Sequence, residues 1–261
     1  TTRLEYLIKK SKGGGYNFPR TNSLKERFEF ALRIYCPNVP NRVYINIDGN
    51  NLEFDLFNYI TRQSFWRPRD IISHFSKIIP IFTNEENTDV FVKNELLKLT
   101  LKDNALEIIK AEFIKEYENV FMNLEDVLHE FDNQDLIMYV DEFTKILSKI
   151  RFNTTFAYDL SNIENKLYVL YQLGIIGLCF DDATYKKMGY KDSIAYIYNE
   201  GFDPLERLLR QKGTVSNPKI IFNPILIDFL SLNINTKKLI GNFAWEYIEL
   251  NHKLKPVIKR I

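Results

Sequence analysis

Apolar residues recur at helical spacing along most of this chain and give way to short apolar runs in its last third, which predicts a mainly α protein with an α/β end. Residues 4–10 look like the end of a helix, and Lys12-Gly13-Gly14-Gly15-Tyr16 like a flexible break. Leu24, Phe28, Ala31, Leu32 and Tyr35 then share one helical face, opened by Asn22 or Ser23 with Glu26 in capping-box position and closed by Pro37. Val43–Ile47 predicts a short strand. Leu52, Phe54, Leu56, Phe57 and Ile60 predict a buried helix, and Ile71, Ile72, Phe75, Ile78 and Ile79 a further one from Pro68, at home in a first turn, to Pro80.

From about Asp89 to Arg151 the pattern is helical throughout, with breaks near Asn123 and Asp132-Asn133. Leu106, Ile109, Phe113 and Tyr117 form one stripe, Leu124, Val127, Leu128 and Phe131 a second, and Leu136, Val140, Phe143, Ile146, Leu147 and Ile150 a third. A helix from about Ser161 ends at Gly174, Ile175–Phe180 leaves it as a strand, a polar loop spans Asp181–Asp192, and Ile194–Tyr198 returns. Helix, strand, long loop, strand is the order of a winged-helix end. Residues 203–212 add a helix or turn, Lys219–Phe222 another strand, Asn223-Pro224 a short helix through Leu230, and residues 236–254 an amphipathic helix. The chain thus divides into a lid-like helical region (1–85), a helical bundle (86–158), a winged-helix-like α/β end (159–235) and a C-terminal helix with a basic tail (236–261).

Charge removes several functions from the picture. Lys plus Arg number 35 against 34 Asp plus Glu, so no global field draws the chain to nucleic acid or anionic membrane. Over residues 161–235 eight basic residues meet eight acidic ones. The local excess lies after Thr236, where Lys237, Lys238, Lys253, Lys255, Lys259 and Arg260 face only Glu246 and Glu249. It suits either a solvated helix end or contact with nucleic acid or an acidic partner. No run has the length of a membrane span, and Thr1-Thr2-Arg3 opens without a signal-peptide pattern, so the expected location is the cytoplasm. Cys36 and Cys179 lie far apart among apolar neighbours and are expected to be reduced thiols. With only His74, His129 and His252 beside them, no metal-ligand spacing is assembled.

Catalytic motifs are absent from the sequence. No glycine precedes a lysine, so no phosphate-binding loop is present, and the three successive glycines lack the strand before and the hydroxyl after them. Asp48-Gly49 imitates a magnesium-binding acid after a strand but suits a tight turn, as does Asp181-Asp182. His74 and His129 sit in no nucleophile signature. The informative short motif is Arg67-Pro68-Arg69-Asp70: two guanidiniums at a helix start oppose the helix dipole, so a carboxylate nearby, an acidic partner or a bound phosphate must make the placement useful. A DNA-reading helix would offer Asn162, Asn165 and Lys166 beside Glu164, a thin set, with Lys186, Lys187 and Lys191 on the wing.

Phe65-Trp66-Arg67-Pro68-Arg69-Asp70-Ile71-Ile72, then Tyr171-Gln172-Leu173-Gly174-Ile175-Ile176-Gly177, then Ile220-Ile221-Phe222-Asn223-Pro224-Ile225-Leu226 resemble the C-terminal part of prokaryotic FunZ-like P-loop ATPases, of the broad group containing AAA-type and STAND-type ATPases. The resemblance covers about residues 50–232. It implies that Arg67 and Arg69, oriented by Asp70, act as an arginine sensor of nucleotide state in a helical lid, and that the other two elements belong to the following winged helix. Where the family more often carries His before the proline, this chain has Asn223. The role the resemblance implies is a non-catalytic regulatory module, with a prokaryotic defence system as one setting for it, that binds no cofactor itself and relies on an ATPase core, in the same or another chain, for ATP and magnesium. A protein partner is expected, with oligomers allowed. The alternatives are a free-standing winged-helix nucleic-acid binder using Lys186, Lys187, Lys191 and the tail residues Lys253, Lys255, Lys259 and Arg260, or a purely structural interaction module.

Overall fold

The computed structural model describes residues 30, 33–34, 39–40, 42–47, 50–65, 67–83, 90–156, 159–180, 194–197, 201–210 and 219–234. The expected helix over 24–35, the glycine run, Cys36, Asp48-Gly49, Trp66, the loop from Asp181 with its lysines, His252 and the C-terminal helix and tail lie wholly or largely outside them.

A hairpin is the first complete element among the described residues. β1 (Arg42–Ile47) pairs antiparallel with β2 (Asn50–Asp55), Ile47 opposite Asn50. The expected helix over 52–60 therefore starts later, as α1 (Leu56–Arg62). Leu52 and Phe54 alternate with Glu53 and Asp55 at a period of two, and pairing with β1 selects that period over the helical one. α2 (Pro68–Thr83) opens on its proline as predicted but runs on through Pro80, with the Thr83 hydroxyl donating to the Ile79 carbonyl at 3.1 Å.

α3 (Val90–Glu107) packs against α2 and continues without a break into a π-helix (Ile108–Ile114) and the single turn α4 (Lys115–Tyr117). Ile109, Phe113 and Tyr117 are four residues apart. That interval overshoots the 3.6-residue α turn and falls short of the wider π turn, so the π segment keeps all three against the core.

The α/β end begins earlier than its sequence suggests. α5 (Leu124–His129) leads into β3 (Ile137–Tyr139), a strand inside a stretch expected to be wholly helical. Then come α6 (Val140–Leu147), α7 (Ile163–Gln172), β4 (Ile176–Cys179), β5 (Ile194–Ala195), α8 (Asp203–Arg210), β6 (Lys219–Phe222) and α9 (Leu226–Phe229). The antiparallel sheet has the order β3-β6-β4-β5. Helix, strand, two helices and two strands, with the last strand between the first and second, is a winged-helix-like arrangement into which β5 and α8 are inserted. Its closing strand is β6, and the expected returning strand at 194 forms the sheet edge instead.

Local sequence accounts for the ends of α7. Asn162 caps its start, accepting from the Glu164 amide at 2.8 Å, and Gly174 at φ 71° ends it in the left-handed conformation that glycine adopts without steric cost. Gly177 faces Tyr196, whose ring lies 2.7 Å from where a Cβ would stand. One hydrophobic cluster runs from Val39 and Val43 through the helices to Leu232, so the described elements share a core. Among the described residues no helix is long and apolar enough to cross a membrane.

Candidate functional site

Arg67, Arg69 and Asp70 come together at the N-terminus of α2, facing the π-helix. The Arg67 carbonyl accepts from the Asp70 amide, so Arg67 is the capping residue and Asp70 lies in the first turn, where the helix dipole favours an anion. The Asp70 side chain is 0% exposed. It accepts from the Phe65 amide at 2.9 Å and from Arg67 Nε at 3.0 Å, and Arg67 Nη2 lies 2.8 Å from it. Asp70 thus reconciles a guanidinium with a helix start by neutralising it in place.

The remaining carboxylate contacts come from 43 or more residues away in sequence. Arg67 Nη1 donates to Glu116 Oε2 at 2.8 Å, Arg69 Nη2 bonds the same carboxylate oxygen, and Arg69 Nε lies 3.6 Å from Glu112. Phe65 stacks on Phe113 with centroids 4.0 Å apart, and Arg67 lies over both rings at 5.4 and 5.8 Å. Glu112 and Glu116 escaped the sequence reading, although an acidic pair four residues apart around Phe113 was the available signal. The two arginines differ in their setting. Arg67 is 22% exposed and bound to a buried carboxylate, whereas Arg69 is 49% exposed and held mainly by Glu116 and Glu112, themselves 43% and 38% exposed.

Behind this element His74 is fully buried in α2. Its Nε2 donates to the Gln63 carbonyl at 2.5 Å, and its Nδ1 accepts from Asn104 Nδ2 at 2.9 Å, while Asn104 Oδ1 accepts from the Ser73 hydroxyl at 3.2 Å. A carbonyl can only accept, so this set of bonds fits the neutral imidazole. Burial lowers the His74 pKa from its ordinary value, against the opposing effects of the Gln63 carbonyl and Asp70. The unfolded chain consequently binds the proton more tightly. Stability from this site should be complete above the ordinary histidine range near pH 6.5 and decline as pH falls from there through the folded value, by up to about 1.4 kcal/mol per pH unit. Urea unfolding at pH 7.5 and 5.5 checks this, and His74→Gln should flatten the difference.

The helix that would read DNA is occupied. Lys166 is buried and donates from Nζ to the carbonyls of Leu147, the last residue of α6, and Ile150 just beyond it, with its pKa lowered by burial. Asn162 caps α7, and Asn165 Nδ2 donates to the Asp159 carbonyl at 2.8 Å. The inserted segment covers α7: Tyr168 stacks on Phe202 at 4.7 Å, Tyr171 donates to the Gly201 carbonyl at 2.8 Å, and α8 packs alongside. Lys186, Lys187, Lys191, Lys253, Lys255, Lys259 and Arg260 lie outside the described residues.

The other motif residues have structural partners. Asn223 joins the second and third elements of the resemblance, donating from its amide to the Ile175 carbonyl at 2.8 Å and from Nδ2 to the Gly174 carbonyl at 3.0 Å. Cys179 is a buried free thiol whose pKa is raised by burial, and His129 pairs with Asp132 at 3.1 Å on the surface. Among the described residues no group of three His, Cys, Asp or Glu is placed to hold a metal ion. No family model, curated protein or solved structure matches the chain.

Proposed function

We propose that this chain is a non-catalytic regulatory module of a P-loop ATPase, coupling nucleotide state to a protein partner, with Arg69 as the residue that exchanges partners. The observation that carries the reading is the asymmetry of the two arginines. Arg67 is committed to buried Asp70 and shapes the helix start, whereas Arg69 is half-exposed and held mainly by exposed carboxylates. Ion pairs of that kind contribute about 0–1 kcal/mol, so an incoming phosphate or acidic rim can take Arg69 over at little cost. Because the sequence carries no phosphate loop, this reading leaves ATP and magnesium to an ATPase core in the same or another chain.

One observation favours the purely structural reading: three carboxylates, Asp70, Glu112 and Glu116, already surround the two guanidiniums. A single substitution separates the two. In the assembly with its ATPase core, Arg69→Ala is expected to lower ATP turnover roughly tenfold or more, equivalent to at least about 1.4 kcal/mol of barrier. It should move Tm by no more than about 4 °C, because so little stability resides in exposed pairs. Unchanged turnover would leave the structural module as the reading. A DNA-binding role draws on the wing and tail lysines, and the covering of α7 by Phe202 and α8 weighs against base reading by that helix.

A further inference from the structure

One oxygen of Glu116 is the meeting point of the two guanidiniums: Arg67 Nη1 donates to Oε2 at 2.8 Å, and Arg69 Nη2 bonds the same atom. We infer that Glu116 makes an autoinhibitory contact. Its tethered carboxylate stands where a phosphate oxygen would sit between the two arginines, and it must leave before a polyphosphate engages them. The inference rests on the reading of Arg69 as the residue that exchanges partners, and names what regulates that exchange.

Three observations carry it. The first is charge. Asp70, Glu112 and Glu116 surround two guanidiniums, so one carboxylate exceeds what neutrality needs. Asp70 is not the surplus one, because it is fully buried and bonded to the Phe65 amide as well as to Arg67. Glu112 lies 3.6 Å from Arg69 Nε and stays to balance that arginine when Glu116 leaves. The second is preorganisation. Asp70 holds Nε and Nη2 of Arg67, and the Phe65 and Phe113 rings lie under its guanidinium, so Nη1 is the end presented to Glu116. A guanidinium fixed in this way loses little freedom on binding, and its fork takes phosphate oxygens as it takes carboxylate ones. The third is the placement of Glu116. It stands two residues beyond the π-helix whose Phe113 stacks on Phe65, so one aromatic contact holds the carboxylate and the arginine element in register. Glu116 is nonetheless exposed, within reach of a competing anion, while its tether keeps it at an effective concentration of about the millimolar range.

The test is isothermal titration of the full chain with sodium tripolyphosphate at low salt. Glu116→Gln keeps the shape of the side chain and removes its charge. It is expected to bind tripolyphosphate about tenfold more tightly than the native chain, the scale set by releasing two exposed ion pairs. Adding Arg69→Ala should abolish the gain. Glu118→Gln removes the same charge from an exposed acid two residues on, outside the cluster, and should bind as the native chain does. Unchanged affinity in folded Glu116→Gln would overturn the proposal. So would an equal gain in Glu118→Gln, a gain that survives Arg69→Ala, or a gain seen with hexaglutamate but not with tripolyphosphate, which would point to an acidic protein surface instead. Glu116→Asp, one methylene too short to reach both guanidiniums, gives the same comparison should the glutamine variant fail to fold. ATP turnover of Arg69→Ala in the assembly leaves Glu116 intact, so the reading of Arg69 and this inference can fail separately.

Discussion

Asp70→Ala is expected to destabilise the protein by about 3–5 kcal/mol, the range seen when one partner of a buried ion pair is removed. The side chain is fully buried and serves two elements at once, the Phe65 amide before α2 and the guanidinium of Arg67 at its cap. Alanine leaves a buried amide without an acceptor and returns Arg67 to the positive pole of the helix with only the exposed Glu116 beside it. Asp70→Asn separates the contributions, because it keeps an acceptor for Phe65 while removing the charge. Urea unfolding should show a lower midpoint at unchanged slope. A loss below about 1 kcal/mol would place this network among the solvent-screened pairs and remove its claim to organise the helix start.

Asn223→Ala should cost about 2–4 kcal/mol, from two buried backbone groups each losing a partner worth about 1–2 kcal/mol. Asn223 is fully buried; Nδ2 satisfies the Gly174 carbonyl at the end of α7, and Oδ1 accepts from the Ile225 amide ahead of α9. Asn223→Asp keeps the second bond but turns a carboxylate oxygen toward the Gly174 carbonyl, so it should be at least as damaging as alanine. Thermal unfolding followed by circular dichroism compares the two variants. An aspartate variant as stable as the native chain would mean that water, rather than Asn223, satisfies that carbonyl.

The two arginines show how far a motif can be read in isolation. Their unfavourable place at a helix start was visible in the sequence, and so was the carboxylate three residues on. Their division of labour was not, because Glu116 lies 49 residues from Arg67 and reaches it only when the π-helix packs on Phe65. The candidate reading helix gives the same lesson. Lys166 has the composition of a DNA contact, yet its ammonium is consumed by the carbonyls of Leu147 and Ile150.

What the sequence determined by itself is local. Pro68 begins α2, Asn162 and Gly174 bound α7, and the apolar runs at 176 and 219 are strands, since capping, left-handed turns and side-chain periodicity depend on residues a few positions apart. Tertiary structure decided the rest. Ile137–Tyr139 leaves the helical pattern because β6 offers it a ladder, Leu52 and Phe54 follow β1 into a hairpin, and Ile108–Ile114 widens to a π-helix against Phe65. Each of these depends on a partner strand, aromatic ring or carboxylate that local periodicity does not encode, and packing energy there exceeds the small differences in intrinsic propensity.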